Sequence, residues 1–345
     1  MENLTIGTRI AELRKKVGLT QSQLADRLMI SNKAVSKWES NNGAPCLEML
    51  IKLSQILNCS LDYLILGKRN PKKTIIDIPL ILGTDEDGDI CEKDLRKLIH
   101  CLLCGESGSG KSILMHNIIT QLISNYHHDD LKLALVDTKK VEFSIYNNVP
   151  HLYRAIATTP KEASALLSDL VTVLEARYEL LAALSCQNIV EYNKTFPVTR
   201  LPLIVVVIDE LADITSNKNY SSEKLLQRLT QLGRAAGIHV IAASYTAKKD
   251  ILKGIETNYF PTKIAFKMKE NEDYEKFLET KFDLPVCLNR KMLINPYNED
   301  KITMVDCTYI STDEIKNKLI QKIQKLNLKH KAKVFRTKSH ATQNL

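Results

Sequence analysis

The sequence lacks any long apolar run. Its longest uninterrupted one, Leu203–Ile208, has six residues, whereas a membrane-spanning helix needs roughly 20. No apolar segment of the kind found in secretory signal peptides lies near the N-terminus. The 345 residues also avoid the compositions of disordered and fibrous proteins, since 44% are hydrophobic and 26% are charged. We therefore expect a cytosolic globular protein of about two to three domains.

The eight cysteines lack the spacing of a disulfide framework. Only Cys101 and Cys104 are close enough in the chain to suggest a zinc or redox pair. Both fall in the apolar run Leu98–Cys104, which predicts a buried strand. We therefore interpret them as small core thiols, of the kind found in a reducing cytosol.

Net positive charge is concentrated at the C-terminus. The formal net charge is +8, and residues 313–345 hold nine Lys or Arg against two acids, which leaves the rest almost neutral. Apolar spacing up to Leu326 predicts an amphipathic helix, followed by a basic tail from about Lys329. Such a tail is typical either of a contact with a phosphate backbone or of a solvated, frayed terminus, and both interpretations stay open.

The first 67 residues predict a compact bundle of short helices. Helical spacing of apolar residues indicates a first helix that ends at Gly18. Thr20 and Ser31 are expected to cap a second helix, Gln21–Leu28, and a third that runs through Glu39. Two short helices with a tight connection are typical of the helix-turn-helix arrangement, in which the second helix enters the major groove of DNA.

The strings Leu19–Ala25 and Ile30–Glu39 resemble the two helices of the Cro/repressor-type (XRE) family. This resemblance implies a DNA-binding domain. It assigns contacts with base edges or phosphates to one outward face of the third helix, which is the second of the helix-turn-helix pair, and a contact with the DNA backbone to Gln21. The residues on that face are Asn32, Lys33, Ser36 and Lys37. A bundle kept only for dimerisation or protein docking is the alternative.

From about Thr74 the pattern changes to apolar strand-like runs that alternate with long helical segments. The expected strands are Leu98–Cys104, Leu131–Val136, Leu203–Ile208, Ile238–Ala243 and Lys263–Phe266, and the helices include Lys161–Leu184 and Ser222–Ala235. Near-continuous apolar strands separated by helices predict a mainly parallel sheet that is covered on both faces.

A glycine-rich loop directly follows the first of these strands and precedes a helical segment. It fits G-x-x-x-x-G-K-[ST], the P-loop pattern, in which backbone N–H groups surround phosphates. Lys111 is expected to reach the β and γ oxygens of ATP, and Ser112 to bind Mg²⁺. The residues assigned to ATP are Gly105, Glu106, Ser107, Gly108, Ser109, Gly110, Lys111 and Ser112.

The apolar strand Leu203–Ile208 ends in two carboxylates, Asp209 and Glu210. Strands that end in acids are common, but together with the P-loop this one predicts the second half of an ATPase site. Asp209 is expected to hold Mg²⁺ through water, and Glu210 to orient or deprotonate the attacking water.

Residues from about 78 to 310 resemble the motor domain of the FtsK/SpoIIIE family of hexameric DNA translocases. Besides the P-loop, the matching strings include Val136–Ser144, Glu175–Tyr178, Asp209–Asp213 and Gly233–His239. The resemblance implies a RecA-like ATPase that assembles as a ring, hexameric in the family, around double-stranded DNA. It also implies that Arg234 reaches the neighbouring subunit's nucleotide, and that Asp137 and Lys139 lie near the site.

One segment departs from that family. Where the family usually has Ala-Thr-Gln-Arg-Pro, this chain has Ala243-Ser-Tyr-Thr-Ala247, so Tyr245 and Thr246 replace a glutamine and an arginine. Either Ser244 or the Tyr245 hydroxyl takes over the glutamine's role, or hydrolysis is slow and poorly coupled to movement.

The resulting architecture is an all-α helix-turn-helix domain (1–67), a linker (68–77), an α/β RecA-like P-loop NTPase domain (78–310) and a basic helix and tail (311–345). The leading interpretation is a cytosolic ATP-dependent DNA translocase or DNA-transfer motor, with DNA-transfer machinery as a further partner. A transcription regulator whose P-loop domain senses nucleotide is the alternative. A protein-secretion ATPase is a third hypothesis, which the N-terminal domain disfavours.

Overall fold

The structure is a computed structural model, and it describes residues 5–57, 59, 64–65, 77–197, 199–215, 220–245, 259–280, 291–299 and 301–319. The chain divides into two compact units, Met1–Ile75 with Val190–Arg200 and Ile76–Ile189 with Leu201–Leu345. Thr246, nearly all of the expected linker and the basic tail beyond residue 319 lie outside the described residues. Within these ranges no helix has the length and apolar character needed to cross a membrane.

Four helices form the first unit's helical bundle: α1 (Ile6–Lys16), α2 (Gln21–Leu28), α3 (Asn32–Glu39) and α4 (Leu47–Ile56). They surround one apolar cluster that includes the fully buried Ile10, Leu24, Val35 and Leu53. Within each helix the apolar residues recur at helical spacing, so each helix places one apolar stripe against the same core. The predicted helix-turn-helix arrangement of α2 and α3 is confirmed.

The two predicted helix caps have different outcomes. The Thr20 hydroxyl accepts a hydrogen bond from the Gln23 amide, and the Gln23 side chain accepts one from the Thr20 amide, which together form a capping box. Ser31 makes no side-chain cap hydrogen bond, so that expectation was wrong. Burial of Val35 against the bundle holds α3 without the cap.

The second unit contains a nine-stranded mixed sheet in the order β2-β1-β9-β8-β7-β3-β6-β5-β4. The strands are β1 (Pro79–Asp85), β2 (Ile90–Asp94), β3 (Cys101–Cys104), β4 (Leu131–Val136), β5 (Leu203–Ile208), β6 (Ile238–Ser244), β7 (Thr262–Ala265), β8 (Lys291–Asn295) and β9 (Thr303–Cys307). Its helices are α5 (Leu95–Leu98), α6 (Lys111–Asn125), α7 (Pro160–Ala183), α9 (Leu211–Thr215), α10 (Ser222–Ala236) and α11 (Asn271–Leu278). Helix α8 (Ile189–Thr195) follows α7 in the chain, and all of it except Ile189 belongs to the first unit. Residues 312–319 are helical as well.

The parallel part of the sheet positions the site. Strands β7, β3, β6, β5 and β4 pair in parallel, and the remaining four extend the sheet in antiparallel fashion from β7. The carboxyl ends of parallel strands meet at one edge of a sheet, where open α/β sheets bind their ligands. The loops after β3, β4, β5 and β6 are therefore brought together.

The sequence predicted the bounds of β4 and β5 better than those of β3, the strand before the P-loop. Strands β4 and β5 have the predicted bounds. Strand β3 begins at Cys101 rather than Leu98, because Leu95–Leu98 form a helical turn and Ile99 takes a φ of 67°. Cys101 and Cys104 are free and buried, and burial raises the pKa of each thiol to about 12, which confirms them as core thiols.

Candidate functional site

The P-loop turns from β3 into α6 through two positions that require glycine. Gly110, which precedes the first residue of α6, has a φ of 115°, a conformation that L side chains rarely adopt. A Cβ on Gly105 would lie 2.7 Å from the Cβ of Phe266. The loop therefore packs closely against the residue after β7, and its backbone leads directly into the N-terminus of α6. A helix N-terminus preceded by such a loop favours phosphate binding.

The Lys111 side chain lies over this loop. Its amino group donates hydrogen bonds to the carbonyl oxygens of Gly105 at 2.5 Å and Glu106 at 2.8 Å. Burial lowers the pKa of Lys111, and the carboxylates of Glu210 and Asp209 oppose that shift. The ammonium group is thus held at the mouth of the loop, where it can reach a phosphate oxygen.

Asp209 and Glu210 follow β5 directly and are only 6% and 3% exposed. Burial, together with the nearby charge of Glu142, raises the pKa of Asp209 to about 6. Burial likewise raises the pKa of Glu210 to about 7, against opposing effects that include a hydrogen bond from the Ala212 amide and the positive charge of Lys139. An acid with a pKa near 7 is suited to accept a proton near neutral pH.

One cleft of about 780 Å³ brings the predicted ATPase residues together. Lys111, Ser112, Asp209 and Glu210 all line it. Of the other P-loop residues, Gly105 and Ser109 are not part of the lining. Tyr245, one of the two candidates for the missing glutamine's role, lines the cleft as well. The sequence did not assign four further lining residues to the site; these are Ile113, Val141, Glu142 and Lys269.

The loop after β4 supplies one side of the cleft. The Asp137 carboxylate accepts a hydrogen bond from the Phe143 amide at 2.9 Å, which closes the loop. Lys139 lines the cleft with its amino group 4.0 Å from a Glu210 oxygen. Glu142 accepts a hydrogen bond from the Ser112 hydroxyl at 3.1 Å. The resemblance had placed Asp137 and Lys139 near the site, and both are found there.

Comparison with known protein families agrees with this geometry. Residues 68–249 match the model of the FtsK/SpoIIIE family, which is more than half of the chain. The chain belongs to the FtsK/SpoIIIE family. Residues 10–64 match a separate model, described as Helix-turn-helix.

Curated relatives in this family are named DNA translocase FtsK. The protein of Lactococcus lactis subsp. cremoris is 35% identical over 258 residues, which are 72% of this chain and 34% of that protein. The Helicobacter pylori protein is 34% identical over 248 residues, 71% of this chain and 29% of that protein. The chain therefore spans about a third of the length of these relatives.

Two solved structures share the fold of the P-loop unit. The conjugation coupling protein TcpA, in its monomer form with ATPγS, is 27% identical with a TM-score of 0.62, and the match covers 72% of each chain. ATPases 2 and 3 of EssC from Geobacillus thermodenitrificans give a TM-score of 0.62 at 15% identity, over 72% of this chain and 49% of that one. The second likeness concerns the fold alone.

Arg234, which the FtsK/SpoIIIE resemblance assigned to a neighbouring subunit's nucleotide, is not part of this chain's own cleft. It lies exposed in the last turn of α10, and its guanidinium carbon is 5.9 Å from the centre of the Tyr297 ring. This place is compatible with a role toward another subunit, which stays a prediction.

Tyr245, the residue that departs from the FtsK/SpoIIIE pattern, follows β6 and lines the cleft with 48% of its surface exposed. Ser244 is fully buried, and its carbonyl accepts a hydrogen bond from the Gly105 amide. Of the two candidates for the missing glutamine's role, Tyr245 is therefore the one whose side chain faces the cleft.

The predicted DNA-contacting residues of α3 share one exposed face. Asn32, Lys33, Ser36 and Lys37 are all exposed, whereas Val35 is fully buried. The side-chain amide of Gln21 donates a hydrogen bond to the Glu39 carboxylate at 2.7 Å. Glu39 also accepts two hydrogen bonds from Arg14, so Gln21 is fixed by a network that joins α1, α2 and α3. DNA contact by these residues stays a prediction.

Proposed function

We propose that this protein is an ATP-hydrolysing motor that moves along double-stranded DNA and is directed to it by its helix-turn-helix domain. The observation that carries the proposal is the convergence of Lys111, Ser112, Asp209 and Glu210 in one cleft. Membership of the FtsK/SpoIIIE family, and curated relatives named as DNA translocases, support DNA as the polymer that is moved. In this proposal residues 78–310 supply force, and residues 1–67 select the DNA.

The cleft residues have separate tasks in hydrolysis. The P-loop amides and Lys111 bind the phosphates and stabilise the charge that develops on the transferred group. Glu210 orients the attacking water and accepts its proton, which its raised pKa favours. The oxygen donors of Ser112 and Asp209 fit the preference of Mg²⁺ for hard ligands, and a bound Mg²⁺ would neutralise charge on the β and γ phosphates.

Arg234 gives a reason for assembly. An arginine that completes a neighbour's site can stabilise the transition state there, so hydrolysis would depend on contact between subunits. The exposed position of Arg234 outside its own cleft supports that role. A homo-oligomeric ring, hexameric as in the family, therefore belongs to the proposal, as do a cytosolic location and a partner in DNA-transfer machinery. The likeness to a conjugation coupling protein supports the last point.

A second candidate function is a transcription regulator whose P-loop domain senses nucleotide. The observation in its favour is Tyr245, which lines the cleft where the FtsK/SpoIIIE family usually has glutamine. Such a regulator would show a promoter footprint that depends on nucleotide binding but survives Glu210→Gln. It would not displace obstacles from DNA.

The decisive experiment is displacement of a third strand from duplex DNA, measured together with ATP hydrolysis. We expect ATP-dependent displacement and DNA-stimulated hydrolysis in the wild type. Lys111→Ala should abolish both, because it removes the ammonium group over the P-loop. Lys161→Ala, which removes an exposed lysine at the start of α7, is the matched control and should retain both. Hydrolysis at a rate indifferent to DNA would contradict the proposal.

A further inference from the structure

The Glu142 carboxylate lies between the P-loop helix and the loop after β4, and its two oxygens have different partners. One oxygen accepts a hydrogen bond from the Ser112 hydroxyl at 3.1 Å. The other lies 3.3 Å from Nε2 of His116, one turn further along α6. Glu142 also lines the cleft that contains Asp209. A second carboxylate therefore faces the hydroxyl that P-loop proteins use for Mg²⁺.

The surroundings hold Glu142 in this place. The Asp137 carboxylate closes the loop that carries it, through the hydrogen bond from the Phe143 amide. On the other side, Nδ1 of His116 lies 2.8 Å from the Tyr146 hydroxyl, and the Tyr146 side chain is fully buried. His116 is thus fixed through both ring nitrogens, one of which is directed at Glu142.

The donor geometry distinguishes the roles of Glu142 and Ser112. A hydroxyl has one proton to donate and two lone pairs. With its proton directed at Glu142, Ser112 keeps its lone pairs for a cation in the cleft. Mg²⁺ in phosphate-handling sites is held by one or two carboxylates besides substrate oxygens and water. Asp209 supplies one carboxylate, and Glu142, which lines the same cleft and accepts the hydrogen bond from Ser112, can supply a second.

We propose that Glu142 is the second carboxylate of the divalent-cation site, beside Asp209, and that His116 is the positioning residue that directs it toward Ser112. This inference rests on the proposed nucleotide chemistry of the cleft and extends it to a residue that the P-loop and strand-end motifs do not contain. It gives a specific task to the glutamate within the string Val136–Ser144.

The test measures how much Mg²⁺ strengthens nucleotide binding. The affinity for a fluorescent ATPγS analogue is determined in excess Mg²⁺ and in EDTA, and the ratio of the two affinities is compared between variants. Glu142→Gln keeps the size of the side chain and an oxygen for Ser112, but it removes the charge. We expect the ratio to fall by about 10-fold or more, with the affinity in EDTA unchanged.

Two further variants separate cation binding from a general loss of charge or fold. Glu179→Gln removes an exposed carboxylate of α7 and should leave the ratio at the wild-type value. His116→Ala leaves the Glu142 charge in place but removes its positioning partner, so the ratio should fall by less than in Glu142→Gln. Thermal unfolding without nucleotide or Mg²⁺ identifies any variant that has lost its fold. Electron paramagnetic resonance with Mn²⁺ in place of Mg²⁺ provides a readout independent of hydrolysis.

The outcomes separate this inference from the function on which it rests. If the wild type binds nucleotide more tightly with Mg²⁺ and Glu142→Gln keeps the full ratio and the same Mn²⁺ affinity, the assignment of Glu142 is overturned while the ATPase proposal stands. A wild type that binds nucleotide equally with and without Mg²⁺ also overturns it. A wild type that binds no nucleotide overturns both.

Discussion

At the scale of single residues, the role proposed for Glu210 opposes the stability of the fold. Its carboxylate is 3% exposed, and burial raises its pKa from an ordinary value near 4.5 to about 7. The folded state therefore binds this proton more tightly than the unfolded chain does. The contribution of Glu210 to the free energy of unfolding is fully present below the pKa that it has in the unfolded chain. This contribution is lost as pH rises through the pKa of Glu210 in the folded state. A residue poised to accept a proton thus destabilises the fold above neutral pH.

Replacing Glu210 with glutamine should therefore stabilise the protein in a pH-dependent manner. Near pH 4.5 and below, both side chains are neutral in the folded state, so the two proteins should melt at similar temperatures. Above pH 8 the variant should melt higher, with a gain of up to about 3 kcal/mol in the free energy of unfolding. Calorimetry without nucleotide or Mg²⁺ measures this difference. An equal difference at both pH values would show that the buried charge is not its origin.

The sequence revealed the residues whose positions the backbone fixes. Lys111 and Ser112 end the P-loop motif and begin α6, directly after β3 and its loop. Asp209 and Glu210 directly follow β5, so the proximity of the two pairs follows from parallel-sheet geometry. Glu142 belongs to no such unit. Its contact with Ser112 spans 30 positions and depends on how Asp137 closes an irregular loop, which no periodicity in the sequence encodes.

At the scale of elements, helix α10 is held by side chains of α7. The buried Arg177 donates hydrogen bonds to the carbonyl oxygens of Ala236 at 2.6 Å and Pro202 at 2.7 Å. The Tyr178 hydroxyl donates to the carbonyl of Leu232 at 2.9 Å. The contacts with α10 lie on both sides of Arg234. The Ala236 carbonyl belongs to the last turn of the helix, where carbonyls lack internal partners and positive charge is favourable.

We expect Arg177→Ala to destabilise the P-loop unit strongly. It would leave two carbonyls without their charged donor and a space in a buried position, at a cost of about 3 kcal/mol in the free energy of unfolding. Arg228→Ala is the matched control, because Arg228 forms an exposed ion pair with Glu175 on the same pair of helices. Its cost should stay below about 1 kcal/mol. Urea unfolding followed by circular dichroism compares the two, and equal costs would contradict the role given to Arg177.

The burial of each strand explains which strands could be predicted from the sequence. Strands β4, β5 and β6 are buried along nearly their whole length, so they appear as apolar runs. Strands β1 and β2 alternate between buried and exposed residues in an irregular manner, with a register shift between Ile81 and Gly83. Their antiparallel pairing, like that of β8 and β9, depends on distant partners. The sequence therefore predicted the parallel half of the sheet and not its extension.

At the scale of the whole molecule, a substitution that impairs the function of one unit should leave the function of the other unchanged. The exposed face of α3 would read base edges, whereas the cleft around Lys111 would supply energy, and each of the two lies wholly within its own compact unit. Each good side-chain contact with a base edge contributes about 1–3 kcal/mol of discrimination. Loss of one contact should therefore change the choice of DNA without changing the rate of hydrolysis.

In the full chain, Asn32→Ala should reduce the preference for the best-bound DNA sequence over random duplex by about 5-fold or more, while hydrolysis at saturating random duplex stays at the wild-type rate. Lys111→Ala should do the reverse, with hydrolysis lost and the sequence preference retained. Selection from a randomised duplex pool at fixed salt identifies the preferred sequence, because affinities for DNA depend steeply on salt. If Lys111→Ala also lost the preference, nucleotide binding would control DNA recognition, and the molecule would be a nucleotide-dependent regulator rather than a motor with an independent reader.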